Sequence, residues 1–231
     1  MTKQKQQISK TKKIMGDSEM ANNLEMKMTE LLCSKLCHDL ISPIGAINNG
    51  LEFLQEDTSG MLNEAAQLIG SSAEQAADRL AYFRLAFGAG GSADQVELGT
   101  IKDLIGKYAL TKKLEVEWAG LDLADTSNID KSSGKLLLNL NLIAADCLPR
   151  GGRVEHELAQ NADNPDIKIR LSGEKAALRE DIKLGLDRQI PAESLTIRNV
   201  IAFYCMILAI NCQKTLKLLE ESSPLIVFEV S

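Results

Sequence analysis

Apolar residues recur along the first third of the chain with a heptad rhythm. Cys33, Cys37, Leu40, Ile44, Ile47, Leu51 and Leu54 step alternately by four and three. Asp57-Thr58-Ser59-Gly60 then marks a turn, and Leu62, Ala66, Ile69, Ala73, Ala76, Leu80, Phe83 and Phe87 repeat the rhythm. The spacing predicts two helices of about 25 to 30 residues joined by a tight loop, an antiparallel hairpin whose second seam is alanine-rich enough for close backbone approach. A lone hairpin leaves an apolar face open. Pairing with a second copy closes it as a four-helix bundle in a homodimer; covering by the rest of the chain is the alternative.

Gly88-Ala89-Gly90-Gly91-Ser92 ends the second helix and reads as a linker. Beyond it the pattern becomes mixed. Ile101–Leu110 is helical in period, and Leu114–Trp118 alternates as a strand. Ser132–Leu148 reads as a helix with a serine cap and a stop at Pro149. Val154–Leu158 and Ile167–Leu171 read as paired strands, Glu174–Leu184 and Ser194–Leu219 as helices, and Leu225–Val230 as a last strand. The expected class is α+β: an N-terminal helical hairpin followed by an α/β sandwich with helices on one face of a largely antiparallel sheet. The expected domains are 1–17, a basic disordered tail with five lysines against Asp17; 18–90, the hairpin; and 91–231, the sandwich.

Composition narrows the function. The 231 residues are 45% apolar and 25% charged, globular values, and the net charge of -6 argues against a nucleic-acid surface. Val200–Ile210, the longest apolar run, is too short to span a bilayer and reads as a core helix. The five cysteines form no framework, and no secretory signal opens the sequence, so a reduced, cytoplasmic setting is expected.

The candidate chemistry lies in the first helix. His38 and Asp39 fall outside the heptad seam, which puts the imidazole on the solvent side. A neutral imidazole there is a nucleophile able to carry a phosphoryl group, with Asp39 orienting it or taking its proton. Lys35, Ser42, Gly45 and Asn49 share its face; Lys35 suits a phosphoryl oxygen, and the small Ser42 and Gly45 leave room for a partner. Pro43 cannot donate to the carbonyl of residue 39 and should bend the helix there.

His38-Asp39-x-x-x-Pro43 resembles the H-box of histidine kinases. The longer string Ser34–Glu52 is similar to ChpT-like histidine phosphotransferases of alphaproteobacteria, as are Lys135–Leu140, Leu148–Gly152 and the Ser172-Gly173 step. The resemblance implies a dimerising hairpin that carries the phosphohistidine, joined to a domain shaped like a histidine-kinase ATP-binding domain. It also implies partners: receiver domains of a hybrid histidine kinase and of response regulators, which bring the Mg²⁺. A kinase asparagine box, Asn-Leu-x-x-Asn-Ala, aligns from Asn139-Leu140 and places Ile143 where the metal-holding asparagine belongs; an apolar side chain cannot ligate Mg²⁺. The glycine-rich nucleotide motifs are also missing. The expectation is therefore a relay protein that binds no ATP, cofactor or metal of its own, nor nucleic acid or membrane. An ATP-dependent histidine kinase and a non-catalytic dimeric scaffold are the alternatives.

Other signals are expected to be structural. Cys33 and Cys37 read as buried seam residues rather than metal ligands. His156, between Glu155 and Glu157, reads as an exposed strand residue, and Arg79 and Arg84 as solvated.

Overall fold

The structure, a computed structural model, describes residues 2–55, 62–88, 94–119, 128–159, 164–222 and 224–231, with side chains from Asn22 onward. The hairpin is formed by α1 (Thr2–Gln55) and α2 (Leu62–Ala86). The backbone of 2–17, expected as a tail, continues α1 without a break. The expected turn at 57–60 lies outside the described residues, as does most of the linker beyond Gly88. The helices meet closely at Gly50, where a Cβ would come within 2.6 Å of Ile69 Cγ1. Pro43 is buried inside α1.

The apolar stripe is wider than the seam between α1 and α2. Ile44, Leu51, Leu62 and Leu80, all assigned to the heptads, are exposed, and Ile41 beside them is 69% exposed. Cys33 and Cys37 are exposed free thiols as well, not buried. They lie on the outer edge of the stripe, while the positions that face α2 carry the packing.

The remaining elements are β1 (Gln95–Glu97), α3 (Leu98–Thr111), β2 (Leu114–Ala119), β3 (Asn128–Asp130), α4 (Lys131–Cys147), β4 (Gly152–Leu158), β5 (Ile167–Ser172), α5 (Glu180–Gly185), α6 (Val200–Asn211), β6 (Leu216–Ser222) and β7 (Leu225–Val230). A five-stranded sheet runs β2-β4-β5-β7-β6, antiparallel except for the β2–β4 pair. Two short strands, β1 and β3, pair separately. Val154, Leu158, Ile167, Ile169, Leu171, Ile226, Phe228 and Val230 bury one sheet face. The other is polar, with Arg170 paired to Glu155 and Glu157 across β4 and β5. Helices α4 and α6 cover the apolar face, and α4 is buried on nearly every side from Leu136 to Ala144.

Three boundaries differ from expectation. The cap of α4 is Asp130, whose side chain accepts from Ser133 N at 2.9 Å, rather than Ser132. Residues 174–179 are not helical because Ala177 N–H is drawn to Cys147 O, leaving only α5. The expected helix 194–219 is α6 followed by β6. Gln213 takes φ +60°, Lys214 N–H bonds Ala209 O and Gln213 N–H bonds Ile210 O, a Schellman stop without glycine.

The two halves share one core. Tyr82 donates its hydroxyl to Leu138 O at 2.6 Å, and Asn139 Nδ2 donates to Ala86 O at 3.1 Å and Lys135 O at 2.8 Å. Leu24, Met28 and Leu31 of α1 pack against Ile190, Leu195 and Phe203.

Candidate functional site

Helix α1 presents His38 with its side chain 75% exposed. Its Nδ1 lies 3.2 Å from Asp39 Oδ1. An ionised carboxylate only accepts, so Nδ1 carries the proton and Nε2 keeps its lone pair free toward solvent. Ser42 and Asn49 are exposed on the following turns, and Gly45 lies between them with nothing within 4 Å of where a Cβ would stand. The histidine therefore opens onto an unobstructed lane along α1.

Asp39 is turned inward, its side chain 17% exposed. It holds Lys35 as well as His38: Lys35 Nζ lies 3.3 Å from Asp39 Oδ2. Lys35 was expected to stand ready for a phosphoryl oxygen; it is instead tied one turn back, because its four-residue spacing suits the carboxylate. Arg79 of α2, expected to be solvated, donates from Nη1 to the backbone carbonyl of Asp39. That carbonyl is the one Pro43 leaves without an amide donor. Arg84 is exposed.

The sheet domain reaches this turn. Burial first, then the Asp39 and Asp146 carboxylates, push the Tyr108 phenol above its ordinary range. Partial burial also raises the Asp146 carboxyl, opposed by Lys35, Arg179 and Lys112 and assisted by Asp39. A groove of about 280 Å³ between α2 and α3 includes Arg79 in its lining, with Ser71, Asp78, Tyr82, Lys107 and Tyr108.

At the asparagine-box positions, Ile143 is buried in the core, and the Asn139 Nδ2 donates to backbone carbonyls while its buried Oδ1 has no hydrogen-bond partner among the described residues. His156 is fully buried, against expectation. Its Nε2 lies 2.8 Å from Asn141 Nδ2, its Nδ1 3.3 Å from Glu117 O, and its ring stacks on Trp118 at 4.3 Å. Asn141 donates to Nε2, so this ring is the neutral Nδ1–H tautomer, and burial holds its pKa down to about 4. Among the described residues no group of three or more His, Cys, Asp or Glu could hold a metal ion, and no helix is long and apolar enough to cross a membrane.

Two of these placements had a signal in the sequence. Val154, His156 and Leu158 alternate with Arg153, Glu155 and Glu157, which puts His156 on the apolar face. Arg79 stands four residues before the seam position Phe83, on the side facing α1. The roles of Asn139 and Tyr82 had none, since both depend on how the hairpin docks.

Comparison with known proteins supplies the family. Residues 98–222 match the histidine phosphotransferase C-terminal domain family. The chain is 37% identical over 180 residues to the protein phosphotransferase ChpT of Brucella abortus (strain 2308), covering 78% of this chain and 83% of that protein. A solved bacterial phosphotransferase superposes with a TM-score of 0.74 at 32% identity, over 89% of this chain and 96% of the other. The match spans more than half of this chain and the relative most of it, so the chain belongs to the histidine phosphotransferase family.

Proposed function

We propose that His38 is the phosphoryl carrier of a phosphorelay, loaded from the aspartyl phosphate of a receiver domain on a hybrid histidine kinase and unloaded onto the receiver aspartate of a response regulator. The observation that carries this reading is the exposed imidazole with Nδ1 held by Asp39 and Nε2 free. In the loading step the Nε2 lone pair attacks phosphorus, the N–P bond forms and the bond to the partner's aspartyl oxygen breaks. The carboxylate of the partner leaves with that electron pair. The Nδ1 proton stays in place, and the positive charge gained by the ring faces the Asp39 carboxylate. Unloading is the reverse displacement. Such transfers rely on positioning and charge stabilisation. The Mg²⁺ belongs to the receiver, which docks along His38, Ser42, Gly45 and Asn49.

In this reading the sheet domain binds no ATP. The kinase-like site does not fit the nucleotide's metal: the metal-holding position is taken by the buried, apolar Ile143, which offers no oxygen ligand. The protein acts as a homodimer, the exposed row Ile41, Ile44, Leu51 and Leu80 closing against a second copy.

The test is incubation with a receiver labelled at its aspartyl phosphate, without ATP. Label passes to the wild type and not to His38→Ala. Self-labelling from ATP alone would favour a kinase, and undiminished relay through His38→Ala would favour a scaffold; either contradicts the proposal.

A further inference from the structure

We infer that Arg79 is a positioning residue for the phosphohistidine, acting through the backbone of Asp39. The inference rests on reading His38 as the phosphoryl carrier. In a helix the carbonyl of residue 39 would accept from the amide of residue 43; Pro43 has no amide hydrogen, and its ring crowds that carbonyl. The freed oxygen lies on the turn that bears the chemistry. Arg79, forty positions away on α2, donates its Nη1–H to this oxygen.

Asp39 is thereby held at both ends. Its backbone is tied to α2 by Arg79, and its carboxylate holds His38 Nδ1 at 3.2 Å and Lys35 Nζ at 3.3 Å. Without the guanidinium, a carbonyl deprived of its helical partner must find water or another donor, and residue 39 rotates with it. The carboxylate then no longer fixes the ring tautomer that frees Nε2. Near the turn end, α1 and α2 meet through Gly50, Ala65 and Ile69, contacts that hold the hairpin without reference to the histidine. Proline and arginine thus form a matched pair: one releases the carbonyl, and the other takes it.

The experiment combines kinetics, imidazole ¹⁵N NMR and a double variant. Arg79→Ala should lower the single-turnover loading rate at saturating phosphoreceiver by about tenfold or more, as expected for a small misplacement of the reacting group. The half-saturating receiver concentration should stay near that of the wild type. The ¹⁵N spectrum should show a smaller Nδ1–H fraction for His38. Arg79→Lys, with a donor of similar reach, should recover part of both. Pro43→Ala restores the backbone donor, so Pro43→Ala/Arg79→Ala should load faster than Arg79→Ala alone. If Arg79→Ala does not fold, Arg79→Met keeps the aliphatic stem without a donor and is read the same way.

A wild-type rate in Arg79→Ala overturns the inference. So does a slower rate with an unmoved tautomer, or a double variant no faster than Arg79→Ala. Should His38 not be the carrier, His38→Ala loads as the wild type does or neither loads, while the NMR comparison still reports whether Arg79 sets the ring.

Discussion

At the scale of single residues, two histidines receive opposite treatment from the same fold. His38 is exposed and steered by a carboxylate; His156 is sealed between Trp118, Asn141 and the Glu117 carbonyl. Burial keeps His156 neutral, its pKa held down to about 4 from the ordinary 6.5. The unfolded chain therefore takes up the proton first. Stability contributed by this site is intact above about pH 6.5 and declines as pH falls toward 4, by roughly 3 kcal/mol in total. Urea unfolding of the wild type and of His156→Gln across this window should show the steeper pH dependence in the wild type; parallel curves would contradict it. Both placements are legible in the sequence. The heptad puts His38 outside, and the Val154–His156–Leu158 alternation puts His156 on the buried face although glutamates flank it. Asp39 was legible as the partner of His38. Its hold on Lys35, and Arg79's hold on its carbonyl, depend on how two helices sit together.

At the scale of elements, two glycines on α1 make a contrast. Gly50 admits Ile69, and a Cβ there would also lie 3.3 Å from Ala65 O. Gly45 has only open space above it, on the histidine's face. Gly50→Ala should cost about 1–3 kcal/mol through overpacking. Gly45→Ala should instead stabilise the helix by about 0.5–1 kcal/mol. Gly45→Gln should fold normally yet slow receiver loading, because its side chain stands in the lane. Denaturant titration beside transfer kinetics checks both; slow loading by Gly50→Ala alone, with Gly45→Gln unaffected, would place the docking lane elsewhere. Strands β2, β4, β5 and β7 were readable from alternation. The end of α6 was not, because its stop uses Gln213 in a left-handed conformation that its side chain does not advertise. The loss of helix over 174–179 was equally hidden, since it follows from a backbone bond to the far end of α4.

At the scale of the whole molecule, the hairpin is not a separate appendage. Tyr82 and Asn139 lock α2 onto α4, and the first part of α1 packs on the α6 side of the sheet domain. The sheet domain thus serves as a platform that fixes the histidine helix. The apolar stripe predicted the hairpin, yet it could not say which of its residues face α2 and which face outward. The outward set is the surface on which the proposed dimer would close. The wild type should sediment as a dimer at micromolar concentration, and Ile44→Lys with Leu80→Glu should yield a folded monomer; a monomeric wild type would refute that assembly. The most direct measurement loads ¹⁵N-histidine-labelled protein from a phosphorylated receiver in the absence of ATP and reads the phosphorus–nitrogen coupling by NMR. The account predicts a single phosphoryl group on Nε2 of His38, lost when a second receiver is added. A phosphoryl group on Nδ1 or on another residue, or one that the second receiver cannot remove, would contradict it.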